Sequence, residues 1–355
     1  MRVVDDLHVR AYTPLVAPRV LKEQLPLPPD ANERVYAARE TIKRIIRRDD
    51  PRLLVIVGPC SIHDPEAALE YARRLAEAGA ALRDRLFIVM RTYLEKPRTT
   101  VGWRGLINDP HIDGSFDMGA GLRIARELLI RILALGVPTA AEMLDPISPQ
   151  YIDDVVCFGA LGARTVESQT HRALASGLSM PVGYKNTTDG SIQIAAQAYI
   201  AATHRHSFLG IDPNGACVVV TTTGNPDGAI ILRGSRTGPN YDAASMAQAA
   251  ALLREAGLPP AVIVDCSHAN SRSDHTRQEG IWREVIDRHL ATGDALVGLM
   301  AESNLFEGKQ PIPDDLSQLR YGVSITDACV GWETTERMLE YAWRRVGGRV
   351  DGATP

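Results

Sequence analysis

Short apolar runs rich in β-branched residues alternate along most of the chain with longer segments of helical periodicity, which is typical of a parallel sheet built from βα units. Helix starts are marked by Asp64-Pro65 and Ser148-Pro149, where a capping side chain precedes a proline. Eight strands with intervening helices predict a (β/α)8 barrel rather than a doubly wound sheet. The eight candidate strands lie at residues 53–60, 86–93, 138–145, 160–168, 181–187, 207–211, 261–269 and 295–303.

Two regions fall outside these eight units. Residues 1–50 precede the first strand and contain one helix-like stretch, so we expect an N-terminal extension followed by a catalytic barrel over 51–355. Strand-like runs at 216–224 and 228–234 flank a turn sequence and predict a β-hairpin, at about 212–235, inserted after strand six. The length of 355 residues fits one large domain with an appendage as well as two domains.

The composition is ordinary for a soluble globular protein, with 45% hydrophobic residues, 23% charged residues and a formal net charge of -4. The chain has no excess of basic residues, so its charge gives no indication of a nucleic-acid partner. No run approaches the roughly 18 apolar residues of a membrane span, and the N-terminus lacks the apolar core of a signal peptide, so we expect a cytoplasmic protein with no membrane partner. The five cysteines are scattered and lack CxxC spacing, which predicts reduced thiols rather than disulfides.

Chemically active residue types recur where the predicted strands end. In α/β barrels the reactive groups sit at the carboxyl ends of the strands, because the βα loops build the site there. Unpaired charges pointing into a barrel mouth are unfavourable unless a ligand or a metal compensates them. Their convergence therefore predicts a site for a charged ligand. The residues at these ends are Cys60, Arg91, Glu142, Arg164, Lys185, His268 and Glu302, with Arg233 leaving the predicted hairpin.

Six cations from distant parts of the chain suit a substrate with several negative charges, because arginine binds phosphate or carboxylate bidentately and lysine adds a mobile charge. The alternative is that they are solvated surface charges or salt bridges, but grouping at strand ends favours binding. The loop "EKPRTT" adds hydroxyl donors from Thr99 and Thr100 and predicts a phosphate-binding loop. The six cations are Arg91, Lys96, Arg98, Arg164, Lys185 and Arg233.

Cys60, His268, Glu302 and Asp327 offer mixed S, N and O donors that can bind a divalent first-row metal, with manganese, iron, cobalt, zinc and copper all open. A lone cysteine also packs as a small hydrophobe, and Cys60 next to a histidine base is a candidate nucleophile. Lys185 is a candidate Schiff-base amine as well as an anion ligand. The residues alone leave these alternatives open.

The strings "VGPCSIHDP", "MRTYLEKPRTTVGWRGLINDPH", "GARTVESQTHR", "PVGYKNTTDG", "ILRG", "DCSHAN", "MAES" and "GVSITDACVGWE" closely resemble the type I 3-deoxy-D-arabino-heptulosonate 7-phosphate (DAHP) synthases over nearly the whole chain. The resemblance implies a (β/α)8 barrel with an inserted hairpin and an N-terminal extension, residues 1–50, that contributes to regulation and to oligomer contacts. It also implies condensation of phosphoenolpyruvate with D-erythrose 4-phosphate and water, which is the first step of the shikimate pathway. Homodimers or homotetramers are expected. A Schiff-base aldolase and a non-catalytic barrel subunit are the competing hypotheses.

By resemblance, Cys60, His268, Glu302 and Asp327 bind one divalent metal ion, with manganese favoured. Phosphoenolpyruvate is held by Arg91, Lys96, Arg164, Lys185 and Arg233, and the phosphate of erythrose 4-phosphate by Arg98, Thr99 and Thr100. The implied catalytic residues are Lys96, Lys185, His268 and Glu142, of which Glu142 positions or activates the water.

The resemblance further implies feedback inhibition by an aromatic amino acid bound outside the barrel. Some relatives carry serine at the position of Gly210, and the missing hydroxymethyl group leaves room for the phenolic oxygen of tyrosine. Tyrosine is therefore the favoured effector, with phenylalanine and tryptophan open. The matching positions are Asp5, Asp6, Pro149, Gln150, Leu178, Ser179, Phe208, Gly210 and Val220.

Overall fold

The computed structural model describes residues 2, 4–98, 100–293 and 295–347. Within them the chain forms ten strands and ten α-helices. The strands are β1 Leu53–Gly58, β2 Leu86–Arg91, β3 Thr139–Glu142, β4 Phe158–Leu161, β5 Val182–Lys185, β6 Ser207–Ile211, β7 Cys217–Thr221, β8 Gly228–Leu232, β9 Val262–Asp265 and β10 Leu296–Glu302. The helices are α1 Pro18–Gln24, α2 Pro29–Arg47, α3 Pro65–Leu82, α4 Met118–Ala134, α5 Pro149–Ile152, α6 Gln169–Ala175, α7 Ile192–Ala202, α8 Ala243–Glu255, α9 Gln278–Thr292 and α10 Trp332–Gly347.

Eight strands close into a parallel barrel in the order β1-β2-β3-β4-β5-β8-β9-β10, and β10 pairs with β1 to complete the circle. Every residue of these strands is buried except two in β2. Burial on both faces explains why they are continuous apolar runs in the sequence, since helices cover the outside of a parallel barrel and side chains fill its interior. The predicted (β/α)8 barrel is confirmed.

The prediction for the hairpin and for the sixth barrel strand is wrong. The run at 207–211 is not a barrel strand: β6 pairs antiparallel with β7, from Ser207↔Thr221 to Ile211↔Cys217. The sixth barrel strand is β8, which lies between β5 and β9. All of β8 is buried, whereas β6 and β7 keep one face exposed. All three runs are strand-like in sequence, and the pairing shows which of them belongs to the barrel. The hairpin therefore precedes strand six and spans β6 and β7, not 212–235.

Before β1 the chain forms α1 and the long amphipathic α2. Proline begins α2 at its first position, and the helix ends at Arg48 in the left-handed conformation. Its apolar side faces the barrel, and Arg47 pairs with Asp227 at 2.5 Å, just before β8 begins. A regulatory role for residues 1–50 stays a prediction. No helix in the described ranges is long and apolar enough to cross a membrane.

Candidate active site

A cavity of about 390 Å³ opens at the carboxyl ends of the barrel strands. It collects side chains that are far apart in the sequence, as the barrel rule predicts. Thr99 lies outside the described residues. Eleven of the predicted substrate, catalytic and metal residues line the cavity: Arg91, Lys96, Arg98, Thr100, Glu142, Arg164, Lys185, Arg233, His268, Glu302 and Asp327.

The candidate metal donors meet where the first and last barrel strands pair. Gly58 of β1 is in register with Glu302 of β10, which brings Cys60, two residues beyond Gly58, close to the Glu302 carboxylate. The ligand atoms of Cys60, Glu302 and Asp327 all lie within 4.8 Å of one another. This spacing suits three ligands of a single ion, and Asp327 joins them from the loop that follows β10.

His268, in the loop after β9, lies outside this cluster of three but contacts one of its members, Glu302. Its ring Nε2 lies 3.4 Å from Glu302 Oε1, while Nδ1 lies 2.9 Å from Asp265 Oδ2 and 2.7 Å from Ser267 Oγ. A metal-binding histidine typically uses one ring nitrogen for the metal and the other for a carboxylate or similar partner. The backbone of His268 is left-handed, with φ of 54°, which is unusual for a residue other than glycine and common at functional sites.

The S, N and O donor chemistry of these four residues fits a divalent first-row metal, and two of them, Cys60 and Asp327, contact a cationic side chain in the structure. The ammonium of Lys96 lies 2.8 Å from Cys60 Sγ and 2.8 Å from Asp327 Oδ2. Burial, together with the charge of Glu302, raises the pKa of the Cys60 thiol to about 11, although Lys96 opposes this shift. A thiol with such a pKa is a poor free nucleophile at neutral pH. Metal coordination deprotonates a thiol directly.

The deepest cations are held by the carboxylates of the same site. Arg91 is 1% exposed, donates to Glu302 Oε1 at 3.0 Å and lies over the ring of Tyr93 at 3.6 Å. Lys185 at the end of β5 is 3% exposed, and its Nζ lies 3.4 Å from Asp265 Oδ2. Because these long side chains are fixed before a ligand binds, they lose little conformational entropy on binding an anion.

A second cavity of about 570 Å³ continues outward from the first. Its lining holds four arginines and two hydroxyl groups but no carboxylate, so it suits a second anionic group. Three of its arginines, Arg98, Arg164 and Arg233, also line the inner cavity. Burial lowers the pKa of Arg233, with Arg164 among the further causes. The outer cavity is lined by Arg98, Arg164, Thr188, Arg233, Ser235, Arg236 and Ala269.

Glu142 ends β3 and is 8% exposed. Its carboxylate passes directly over Gly162, where a Cβ atom would collide with Oε1. Glycine at this position therefore leaves the space that the carboxylate occupies, a role that sequence reasoning missed. The glycine stands two residues before Arg164 in the string "GARTVES", so the close approach could have been suspected but not located.

Two further residues of the site, one behind the cavity wall and one in it, were also missed by sequence reasoning. Asp265 contacts both His268 and Lys185, although it ends a strand just as the predicted residues do. Gln278 is buried, and its side-chain amide bonds to both the N–H and the carbonyl of Glu302. Nothing in the local sequence marks Gln278, because the contact depends on how α9 packs against β10.

The predicted effector residues are brought together in part. Phe208, Gly210 and Val220 share the half-buried face of the hairpin, and Phe208 is paired with Val220. The loop after α6, with Leu178 and Ser179, lies next to the hairpin, because Ser176 bonds to Thr222 at 2.7 Å.

The N-terminal part of the predicted effector set is connected less directly. Helix α1 contacts α5, which begins with Pro149 and Gln150. Asp5 and Asp6 are exposed, and among the described residues no side-chain hydrogen bond or ion pair joins them to the other seven positions. The Tyr12 hydroxyl donates a hydrogen bond to the carboxylate of Asp6.

Comparison with known proteins agrees with this geometry. The model of the DAHP synthetase I family matches residues 30–340. The chain is 49% identical over 347 residues to the Tyr-sensitive phospho-2-dehydro-3-deoxyheptonate aldolase of Escherichia coli, covering 98% of this chain and 97% of the relative. It is also 49% identical over 345 residues to the Phe-sensitive enzyme of the same organism, covering 97% and 98%.

A solved structure shows the same fold. The phospho-2-dehydro-3-deoxyheptonate aldolase of Francisella tularensis superposes with a TM-score of 0.93 at 43% identity, covering 96% of this chain and 99% of that one. These matches extend over the barrel and the candidate site together, and they confirm the resemblance drawn from the sequence. The chain therefore belongs to the DAHP synthetase I family.

Proposed function

We propose that this chain is a metal-dependent DAHP synthase, which condenses phosphoenolpyruvate with D-erythrose 4-phosphate and water to give DAHP and inorganic phosphate. One observation carries the proposal: a mixed S, N and O donor set, buried cations and an arginine-lined outer cavity all lie in the same barrel mouth. One substrate carries a carboxylate and a phosphate and the other a phosphate, so both need cationic partners.

The two cavities divide the binding work. Arg91 and Lys185, with the other inner cations, hold the carboxylate and phosphate of phosphoenolpyruvate. Arg98 at the outer cavity holds the phosphate of the aldose. This arrangement offsets the repulsion between the two anions and sets C3 of phosphoenolpyruvate against the aldehyde carbon. Orientation of this kind contributes several kcal/mol to a bimolecular reaction, roughly 7–11 kcal/mol at most.

The chemistry then follows from the polar groups around the aldehyde. A divalent ion held by Cys60, His268, Glu302 and Asp327 would supply Lewis-acid polarisation of the aldehyde. C3 of phosphoenolpyruvate bonds to the aldehyde carbon, and the aldehyde oxygen takes a proton from the ammonium of Lys96, which lies beside Cys60 and Asp327. Water adds at C2 as Glu142 orients it and accepts its proton. Cleavage of the C2–O bond releases inorganic phosphate and leaves the ketone of DAHP.

A phosphate-release assay with both substrates tests the proposal. We expect phosphate release only when both substrates are present, loss of activity after chelation, and recovery with manganese. Recovery with iron, cobalt, zinc and copper in turn identifies the best metal. Cys60→Ala is expected to abolish activity, whereas Cys217→Ala, which removes an exposed thiol on the hairpin, is the matched control. Full turnover by metal-stripped protein would contradict the metal assignment.

A trapping experiment tests the competing chemistry at Lys185. A Schiff-base aldolase would be trapped covalently on Lys185 by borohydride in the presence of substrate. We expect no trapping, because Lys185 lies against a carboxylate and serves as an anion ligand. Phosphate release itself excludes the non-catalytic alternative.

We also propose that tyrosine is the feedback inhibitor and that it binds at the half-buried face of the hairpin. Support comes from the Tyr-sensitive relatives and from the close packing at Gly210, where an added Cβ would lie 2.9 Å from Val220 Cγ2 and 3.6 Å from the Phe208 ring. Gly210→Ser therefore forces the Val220 side chain to move on this half-buried face. We expect it to weaken inhibition by tyrosine at least about tenfold while the uninhibited rate stays unchanged. Unchanged tyrosine inhibition, or stronger inhibition of the native enzyme by phenylalanine or tryptophan, would refute this assignment.

A further inference from the structure

Asp265 is a fully buried carboxylate at the end of β9 that lies between the two halves of the site. One of its oxygens, Oδ1, is anchored locally, because it accepts hydrogen bonds from Ser267 N at 3.0 Å and from Ser267 Oγ at 2.5 Å. These two bonds fix the rotation of the carboxylate group. The position of the second oxygen, Oδ2, is therefore determined before any ligand binds.

The second oxygen faces two basic groups with different tasks. Oδ2 lies 2.9 Å from Nδ1 of His268 and 3.4 Å from Nζ of Lys185. Within the described residues it makes no hydrogen bond of ideal geometry, so charge and proximity to both nitrogens are what compensate its burial. In the proposed function His268 is a metal ligand and Lys185 binds phosphoenolpyruvate. Asp265 contacts both and does not itself line the cavity.

We infer that Asp265 is a positioning residue that serves the metal site and the phosphoenolpyruvate site with a single carboxylate. At His268 it occupies the Nδ1 side of the ring, which leaves Nε2 directed at Glu302 and the other donors. At Lys185 it pairs with a buried ammonium that would otherwise be costly to keep in place. This inference rests on the proposed function and adds a residue to it.

On the other side of His268, a carboxylate again contacts both the histidine and a phosphoenolpyruvate-binding cation. Glu302, a metal donor, also accepts a hydrogen bond from Arg91, a phosphoenolpyruvate ligand, at 3.0 Å. The order of contacts is therefore Lys185, Asp265, His268, Glu302 and Arg91, with cations and carboxylates alternating around the histidine. Removal of the Asp265 charge breaks this sequence of contacts at one point, so the orientation of a metal ligand and of a substrate ligand should be lost together.

Asp265→Asn tests the inference, because it keeps the size of the side chain and removes its charge. The enzyme is stripped with a chelator and titrated with Co²⁺, whose visible absorption reports the ligand geometry, and phosphoenolpyruvate is then titrated calorimetrically at saturating Co²⁺. We expect Co²⁺ affinity to fall about 10- to 100-fold, as for other carboxylate partners of metal-binding histidines. Phosphoenolpyruvate affinity should fall about 2- to 10-fold, the factor for immobilising one long side chain. The absorption spectrum at saturation should also change.

Asp274→Asn is the matched control, because it makes the same chemical change at an exposed carboxylate nine residues away and should alter neither affinity. If Asp265→Asn does not fold, Ser267→Ala decides the question through phosphoenolpyruvate affinity, which should fall by a smaller factor because one anchor of Oδ1 is lost. Its Co²⁺ affinity does not decide, because Ser267 Oγ also contacts His268 Nδ1 directly at 2.7 Å. Native affinity for either ligand in folded Asp265→Asn, or native phosphoenolpyruvate affinity in Ser267→Ala, overturns the inference. The proposed function fails instead if the wild-type enzyme binds neither Co²⁺ nor phosphoenolpyruvate.

Discussion

Glu95 is a buried carboxyl whose protonation should make the stability of the whole chain depend on pH. It is 6% exposed, and Ser148 Oγ donates to its Oε2 at 3.1 Å. Burial is the main cause that raises its pKa, from 4.5 to about 7, and the charges of Asp145 and Glu142 raise it further. In the unfolded chain the carboxyl returns to its ordinary pKa. The folded protein therefore holds a proton between pH 4.5 and 7 that the unfolded chain has already lost.

The sign and size of the effect follow from this difference. As pH rises through the window from 4.5 to about 7, the free energy of unfolding decreases, and above pH 7 the loss is complete. Each pKa unit corresponds to about 1.4 kcal/mol, so the full loss is about 3 kcal/mol. Glu95→Gln removes the titration but keeps an oxygen that accepts the bond from Ser148. We expect the variant to be more stable than the native chain by up to about 3 kcal/mol at pH 8 and equal to it near pH 4.5.

Urea unfolding at a fixed protein concentration, followed by circular dichroism at several pH values between 4.5 and 8, measures this difference. Glu33→Gln on α2 is the control, because Glu33 is exposed. Its replacement should change the free energy of unfolding by the same amount at pH 4.5 and at pH 8. The decisive quantity is the difference between variant and native chain as a function of pH. Parallel pH profiles for Glu95→Gln and the native protein would refute the reasoning.

Two further predictions concern stability and use urea unfolding with paired variants. Arg126 is 1% exposed and forms a bidentate pair with Asp154 at 2.7 and 2.8 Å. Arg126→Met should therefore lower the free energy of unfolding by about 3–5 kcal/mol. Arg131→Met, the control at an exposed ion pair, should lower it by less than about 1 kcal/mol. Equal losses would contradict the role of burial. In α4 a Cβ at Gly121 would collide with backbone carbonyls of the preceding loop, so Gly121→Ala should lower the free energy of unfolding by at least about 3 kcal/mol. Gly119→Ala is the control: a Cβ there meets only an ordinary contact, and the free energy of unfolding should change by less than about 1 kcal/mol. A stable Gly121→Ala variant would show that the loop moves freely.

The barrel could be predicted because its strands are buried on both sides and are therefore continuous apolar runs. The candidate site could be predicted because polar residues such as Cys60 and His268 interrupt these runs at one end, where a barrel gathers them. The hairpin could not be assigned, since "CVVVT" and "GAIIL" are equally strand-like and only pairing shows which belongs to the barrel. Local pattern carries no information about which strands are neighbours.

Asp265 illustrates a different limit of sequence reasoning. It ends a strand exactly two residues before Ser267 and three before His268, so the rule that selected His268 applied to it as well. Its importance lies in a contact with Lys185, which is 80 positions away in the chain and two strands away along the barrel, with β8 between them. Such a contact depends on barrel geometry. The exposed position of Asp5 and Asp6 is a further case, because motif matching assigns a role but no location.

The closure of the barrel between β1 and β10 has a consequence for how the chain folds while it is being synthesised. Cys60 is made early, while Glu302 and Asp327 are made near the end of a chain of 355 residues. A nascent chain that lacks β10 has an open sheet, with the edges of β1 and β9 unpaired and half of the donor cluster missing. Large chains fold progressively as they emerge from the ribosome, and unpaired strand edges are prone to aggregation. The chemistry of this protein therefore requires β10 and the loop after it, and a chain truncated before β10 would carry the hazard of an open edge without any of the activity.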